Sequence, residues 1–269
     1  MSRRSTGIEY PNSPIVAVIP TYNEADNIEK LVAGVFAQAP GLHILIVDDS
    51  SPDGTGELAD TLAARPEYRE RLHVLHRKAK EGLGRAYLAG FAWALGRGYN
   101  GAIEMDADFS HDPLYLPSMI AASEEADVVV GSRYLNGISV INWPLRRILL
   151  SWGANEYVRF WTKLPVHDCT SGFRLYTRRV LESIRLDTVR SNGYSFQVEM
   201  TFRAHLAGFS ITEVPIIFAE RRSGQSKMSK RVIWESVLMP LQLRLRGGLL
   251  RRQLKVRPKL VKGTQAGGG

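Results

Sequence analysis

From residue 15 to residue 131, short apolar runs alternate with stretches of helical period. Ile15-Val16-Ala17-Val18-Ile19 is apolar without a break, the pattern of a strand buried on both faces in a parallel sheet. A helical pattern follows over residues 25–38, with Ile28, Leu31, Val32 and Val35 on one face. Runs at 43–47, 72–75, 101–105 and 127–131 predict four more strands, with a helix over 55–64 and another ending near Leu95. Alternation at roughly 30-residue spacing predicts βαβ units and a doubly wound, mostly parallel α/β sheet. Residues 1–14 are polar and turn-rich and predict a loose arm.

Polar residues gather after each strand rather than before it. Pro20-Thr21-Tyr22-Asn23-Glu24 follows the first, Asp48-Asp49-Ser50-Ser51-Pro52-Asp53-Gly54 the second and Lys80-Glu81-Gly82-Leu83-Gly84-Arg85 the third. Asp106-Ala107-Asp108 ends the fourth and Ser132-Arg133-Tyr134 the fifth. In a parallel sheet these share the carboxyl edge, where open α/β folds bind ligands. Extended chain turns residues i and i+2 to the same side, so Asp106 and Asp108 point into one space. Carboxylates that close repel unless a cation lies beside them. Mg²⁺ suits such a pair, because it takes one or two carboxylates and leaves its other positions to phosphate and water. Taken alone, Asp-x-Asp also fits a solvated acidic turn, Glu24 a helix N-terminal acid, and Gly82-Leu83-Gly84 a tight turn into a helix.

The net charge of +8 is unevenly placed. Residues 221–262 hold 13 Lys/Arg and one acid, Glu235, which leaves the rest of the chain at −4. A basic C-terminal segment on a mildly acidic body points to an anionic partner: phosphates, a membrane surface or nucleic acid. Nucleic acid is disfavoured, because the basic residues accompany aliphatic, Trp-bearing stretches and no nucleic-acid motif is present. Cys169 is the single cysteine, so no internal disulfide forms, which fits a reducing compartment. No apolar run after Met1 predicts a secretory leader, and none reaches the about 20 residues of a membrane-spanning helix.

Two segments are amphipathic. In residues 143–161, Leu145, Ile148, Leu149 and Trp152 follow i, i+3, i+4, i+7 spacing among Arg146, Arg147 and Arg159. In residues 232–245, Ile233, Trp234, Val237, Leu238 and Leu241 do so, with Pro240 a candidate kink. Basic, Trp-bearing amphipathic helices suit a membrane interface, and ordinary packing on the sheet is the alternative.

Together these stretches resemble the inverting family 2 glycosyltransferases of the GT-A fold. Within that family they are most similar to the polyprenyl- or dolichyl-phosphate mannosyltransferase branch. The matching residues continue through Asn142-Trp143-Pro144, Thr170-Ser171-Gly172-Phe173-Arg174, Gly193-Tyr194-Ser195-Phe196-Gln197-Val198-Glu199 and Gly224-Gln225-Ser226-Lys227-Met228. The resemblance implies a GT-A catalytic domain over residues 15–230, an amphipathic helix over 231–250 and a basic, disordered tail over 251–269. It implies that Pro20, Tyr22, Glu24, Val47, Asp49, Asp106 and Ala107 line the nucleotide-sugar pocket. Asp108 would hold Mg²⁺ or Mn²⁺, with Asp106 and Ser110 beside it. Arg133, Arg147 and Lys227 would act on the donor and acceptor phosphates, with Ser171 at the acceptor phosphate.

The activity implied is transfer of mannose from GDP-mannose to a polyprenyl or dolichyl phosphate with inversion. UDP-glucose is the alternative donor. A glycan acceptor is an alternative that needs a catalytic carboxylate, for which Asp168 or Glu199 would serve. A phosphate acceptor, with a second pKa of about 6, brings its own ionised nucleophile. The expected location is the cytoplasmic face of a membrane, peripherally bound through anionic lipid or through a membrane-anchoring subunit.

Overall fold

The computed structural model describes residues 14–219 and 230–254, with the backbone alone for Ala219 and residues 230–236. Lys227, the N-terminal arm and the far C-terminal tail lie outside the described residues.

The chain runs β1 (Ile15–Thr21), α1 (Ala25–Gln38), β2 (His43–Asp48), α2 (Thr55–Ala63), β3 (Leu72–His76), α3 (Leu83–Gly96) and β4 (Gly101–Glu104). After a short 3₁₀ turn come α4 (Leu116–Ala122), β5 (Val128–Ser132), β6 (Val140–Ile141) and α5 (Leu145–Thr162). The last elements are β7 (Arg174–Thr177), α6 (Arg178–Ser183), α7 (Gly193–Leu206), β8 (Ile211–Pro215), β9 (Phe218–Ala219) and α8 (Lys230–Gln253).

Seven strands form one sheet in the order β3-β2-β1-β4-β7-β5-β8, and β6 pairs with β9 in a two-stranded ribbon. The five predicted strands are present and parallel to one another. Two more complete the main sheet, and one of them, β7, is antiparallel to both neighbours, β4 and β5. Its four residues, Arg174-Leu175-Tyr176-Thr177, are too few and too polar to stand out as an apolar run.

Apolar side chains fill both faces of the sheet. One core packs Val16, Val18, Tyr87, Phe91, Tyr176 and Phe196 under α3 and α7, and the other packs Ile15, Ala17, Ile19, Leu31, Val35 and Met119 under α1 and α4. The chain leaves β3, crosses β2 and β1, and returns as β4 on the far side of β1. This reversal is the topological switch point, and it opens a crevice at the carboxyl edge between the loops after β1 and β4.

Candidate active site

Three of the six non-glycine residues in the left-handed region, among the described residues, sit in the turns after β1, β2 and β4. They are Asn23, Ser50 and Phe109, at φ 62°, 55° and 62°. Such strain persists only where neighbours over-determine it. Here carboxylates do so: Asp48 accepts from Thr21 Oγ1 (2.9 Å), Ser51 Oγ (2.5 Å) and Ser51 N–H (3.0 Å). Asp53 accepts from Ala25 N–H (3.1 Å) and Thr55 Oγ1 (2.6 Å), which ties the β2 loop to the start of α1.

Apart from Val47, the predicted nucleoside residues line this stretch of the edge. Pro20 and Val47 are cross-strand partners; Pro20 is half-buried at the edge, whereas the Val47 side chain is fully buried in the core and, against expectation, does not line it. Tyr22 is exposed, with Lys80 Nζ 3.7 Å from its ring centroid. Glu24 Oε2 accepts from Asn27 Nδ2 (2.8 Å), and its side chain caps no helix N–H. Asp49 is buried and accepts from Arg77 Nη1 at 2.6 Å; burial pushes its carboxyl up against the pull of that guanidinium. Gly82-Leu83-Gly84 is the tight turn into a helix. A Cβ on Gly84 would stand 2.8 Å from Ser191 O, so this glycine admits the chain that leads into α7.

The Asp-x-Asp loop is held from three sides. Tyr87, buried in α3, donates its hydroxyl to Asp106 Oδ1 at 3.0 Å. Asp106 N–H donates to His111 Nδ1 at 2.9 Å, which leaves the ring proton on Nε2. The His111 ring stacks on Phe173 (5.0 Å, 12°), and a Cβ on Gly172 would lie 3.2 Å from His111 Cε1. The Thr170–Arg174 motif and the Asp106–His111 motif, distant in sequence, are therefore one packed unit. Beneath them Glu104 is fully buried, and neither of its oxygens has a hydrogen-bond partner among the described residues. Burial pushes its carboxyl up to about 8, against the nearby Arg174, so at pH 7 it adds no third negative charge below the Asp pair.

The residues at this loop fit a hard divalent cation. Asp108 Oδ1 accepts Ser110 N–H at 3.0 Å, and the buried Ser110 Oγ has no hydrogen-bond partner among the described residues. No group of three His, Cys, Asp or Glu side chains able to hold a metal occurs among the described residues. Two carboxylates and a hydroxyl suit an ion that takes its remaining ligands from phosphates and water, not an all-protein cage.

Across the crevice, Arg133 at the end of β5 is buried, with 5% of its surface exposed. Its Nε and Nη2 donate to the two oxygens of Asp168, each at 2.7 Å, and Nη2 also donates to Thr170 Oγ1 at 2.8 Å. Burial pushes the Asp168 carboxyl up, but the charge and hydrogen bonds of Arg133 outweigh it and hold the group below the usual carboxylate range. The expectation that Arg133 faces the phosphates and not the core thus meets a guanidinium already committed on two of its three nitrogens. Arg133 lies 5.6 Å and Arg147 4.0 Å from the Trp143 ring centroid, so one indole gathers both predicted arginines. Ser171 is buried nearby, its Oγ accepting Phe173 N–H at 3.3 Å. Asn155 of α5 fastens this side by accepting Cys169 N–H at 2.8 Å and Thr170 N–H at 3.2 Å. Glu199 is buried and paired with Arg203 at 2.5 Å and with the Ser191 hydroxyl.

Helix α5 is inside out. Its buried residues are Asn155, Val158 and Thr162, whereas Leu145 (70%), Leu150 (75%) and Phe160 (64%) are exposed, as are Leu149 and Trp152. The predicted apolar stripe therefore does not pack on the sheet. No described helix is long and apolar enough to cross a membrane.

Several contacts of the candidate site have no counterpart among the predicted residues: those of Tyr87, Arg77 and His111, and the pairing of Asp168. Tyr87 reads as a core aromatic on the α3 face, and only its hydroxyl's need for a partner hints at more.

An acidic crevice at the switch point of a mostly parallel, helix-covered sheet defines a GT-A-like α/β transferase fold. Residues 16–185 match the model of glycosyl transferase family 2, and the chain belongs to this family of glycosyltransferases. It is 50% identical, over 92% of its length and 93% of the relative's, to a polyprenol monophosphomannose synthase of Mycolicibacterium smegmatis. It is 46% identical, over 83% of its length and 91% of the relative's, to an undecaprenyl-phosphate mannosyltransferase of Micrococcus luteus. Among solved structures it resembles glucosyl-3-phosphoglycerate synthase from Mycobacterium tuberculosis, solved with Mn²⁺, UDP-glucose and phosphoglyceric acid. That likeness has a TM-score of 0.61 at 18% identity and covers 86% of this chain and 80% of the other.

Proposed function

We propose that this enzyme transfers mannose from GDP-mannose to the phosphate of a polyprenol with inversion, giving polyprenyl phosphate β-mannose and GDP. The names of the two curated relatives support the sugar and the acceptor class. The observation that carries the chemistry is the state of the two carboxylates a glycan acceptor would need. Asp168 is bound up with Arg133, and Glu199 with Arg203 and Ser191. Neither is placed to take a proton from an alcohol, and an ionised phosphate needs no such base.

Asp108, with Asp106 and Ser110, would hold Mg²⁺ or Mn²⁺, which when bound neutralises charge on the departing diphosphate. Pro20, Tyr22, Glu24, Asp49 and the backbone around Ala107 bind and orient the nucleoside. Donor diphosphate and acceptor phosphate together bring about four negative charges. Arg147 meets them in the planar bidentate mode that arginine offers phosphate, and Arg133 through Nη1, the nitrogen that Asp168 and Thr170 leave. Lys227 adds a third cation in this reading, and Ser171 lies at the acceptor side.

The enzyme works at the cytoplasmic face of a membrane, peripherally bound through the outward apolar face of α5 and the basic C-terminal segment. A membrane-anchoring subunit is the alternative anchor.

The test supplies labelled GDP-mannose and labelled UDP-glucose in parallel with a polyprenyl phosphate and follows label into the organic phase. Label from GDP-mannose alone is expected. Label from UDP-glucose alone overturns the donor, and label in neither, with transfer to a glycan alcohol, overturns the acceptor.

A further inference from the structure

Gly247 and Gly248 stand side by side inside α8. A glycine in a helix interior costs about 0.8–1 kcal/mol relative to alanine, so a pair of them needs a reason. Backbone conformation supplies none, because neither has positive φ. Packing supplies none either. A Cβ on Gly247 would meet Phe202 Cζ at 3.6 Å, an ordinary contact, and one on Gly248 would meet nothing within 4 Å.

What the pair leaves is a hollow of about 250 Å³ where α8 crosses the carboxyl ends of α5 and α7. Lys163, His205, Arg244 and Arg251 line it, with Phe202 and Leu206 as its apolar part, and among the described residues no carboxylate does. Basic residues at helix carboxyl ends are favoured by the helix dipole, which accounts for Lys163 and His205. It accounts for Arg251 as well, in the last turn of α8, but not for Arg244 or the glycines.

We propose that this hollow binds the phosphate headgroup of an anionic lipid. Lys163, Arg244 and Arg251 bring three cations to a phosphodiester anion, with the His205 imidazole beside them, and arginine binds phosphate through paired N–H groups. The volume falls below the roughly 300–1,000 Å³ of ordinary small-molecule pockets, so it suits a headgroup and not a nucleotide. Leu245 (76% exposed) and Leu249 flank the glycines on α8, and Phe160 lies two residues before Thr162 on α5. These give the acyl chains an apolar surface beside the headgroup. Burial holds the His205 imidazole below its usual pKa, and an anion seated among these cations raises it, which makes His205 a reporter. The inference does not depend on which sugar the enzyme transfers.

The test follows the His205 ring resonances of the full-length protein by NMR over pH, at about 0.15 M salt to screen non-specific attraction. Dihexanoyl phosphatidylglycerol below its micellar concentration is compared with dihexanoyl phosphatidylcholine and with inorganic phosphate. The phosphatidylglycerol is expected to raise the His205 pKa saturably, and the other two are not. Gly248→Leu keeps every charge and fills the hollow, and is expected to weaken the response at least about tenfold, the loss of one charge-assisted contact. No response in the wild type, or an undiminished one in Gly248→Leu, overturns the site. An equal response to inorganic phosphate overturns the lipid in favour of a free anion. Should Gly248→Leu fail to fold by circular dichroism, the Gly247→Ala/Gly248→Ala double variant replaces it. That variant is expected to melt higher and bind more weakly; higher melting with unchanged binding overturns the site.

Discussion

The two sides of the crevice are built by opposite means. On the nucleotide side, β1, β2 and β4 are apolar throughout their buried lengths apart from Glu104 and the terminal Thr21 and Asp48, and the polar groups stand beyond the strand ends, as in Tyr22, Asp53 and Asp108. On the side proposed for the acceptor the core itself holds charge: Arg133, Arg174 and Arg203 are buried, while α5 turns leucines and aromatics outward. A binding surface for a water-soluble nucleotide can be an ordinary fold with a polar rim. The proposed function accounts for the difference, because a surface that meets phosphate and apolar chain together would put its cations inside and its apolar groups outside.

Substitutions separate these two modes. The largest expected effect is on stability: Asp168→Ala leaves Arg133 buried and uncompensated and should cost about 3–5 kcal/mol in denaturant unfolding. If Asp168 melts like the wild type when replaced, the buried pair does not hold this side together. Asp108→Ala should leave unfolding unchanged and lower turnover by at least about 10²–10³-fold, the loss typical of a preorganised group at developing charge. Excess chelator should do the same to the wild type, and full activity in chelator would count against a metal at Asp108. Arg147→Ala, half-exposed over Trp143, should lose about 1.5–3 kcal/mol of transition-state stabilisation with a smaller loss of stability, about 0.5–1 kcal/mol for its contact with the indole. An Arg147 variant that melts early yet turns over normally would make it a structural residue.

Tyr87→Phe is milder. Loss of one neutral hydrogen bond to Asp106 should cost about 0.5–1.5 kcal/mol, seen as raised KM for the nucleotide sugar with little change in acceptor KM. Equal changes in both would place Tyr87 in general packing. Glu104→Gln should be smallest in turnover, with activity at pH 7 near that of the wild type and melting near it only below the usual carboxyl value of 4.5. Its signature lies in pH dependence. The folded carboxyl holds its proton until about pH 8, whereas the usual value is 4.5. The unfolded chain therefore releases the proton first, and wild-type stability falls as pH rises through that window. The Gln variant should lack this fall, and an identical slope in both proteins would refute the buried neutral acid.

The same contrast decided what could be read in the sequence. The parallel strands and the carboxyl-edge loops follow from apolar runs and lie where those runs predict, whereas Asp106 and Asp108 lie past the end of β4, Asp108 in a turn and not in the extended chain that the period-2 reading assumes. β7 was illegible because its pairing is made by residues far apart in sequence and its first residue is an arginine. Arg133 was legible as a chemical group but not as a buried one, because its partner Asp168 is 35 residues away. The α5 stripe was visible as apolar spacing, but spacing alone does not say whether a stripe faces the sheet or away from it.

The antiparallel β7 also bears on how the chain is made. β4 and β5 emerge from the ribosome well before residues 174–177, and until those residues arrive β4 has β1 on one side and an open edge on the other, while β5 has no strand neighbour at all. β8, residues 211–215, closes the last of these gaps. Unpaired edges of apolar strands recruit other strands, and partly made chains that expose them aggregate. A nascent chain in which β5 has cleared the ribosomal exit tunnel and β7 has not is therefore the most aggregation-prone, and one in which β8 has cleared it has its main sheet complete. Synonymous codon changes that slow translation once β5 has left the ribosomal exit tunnel and before β7 does should lower soluble yield more than the same slowing after β8 has left it.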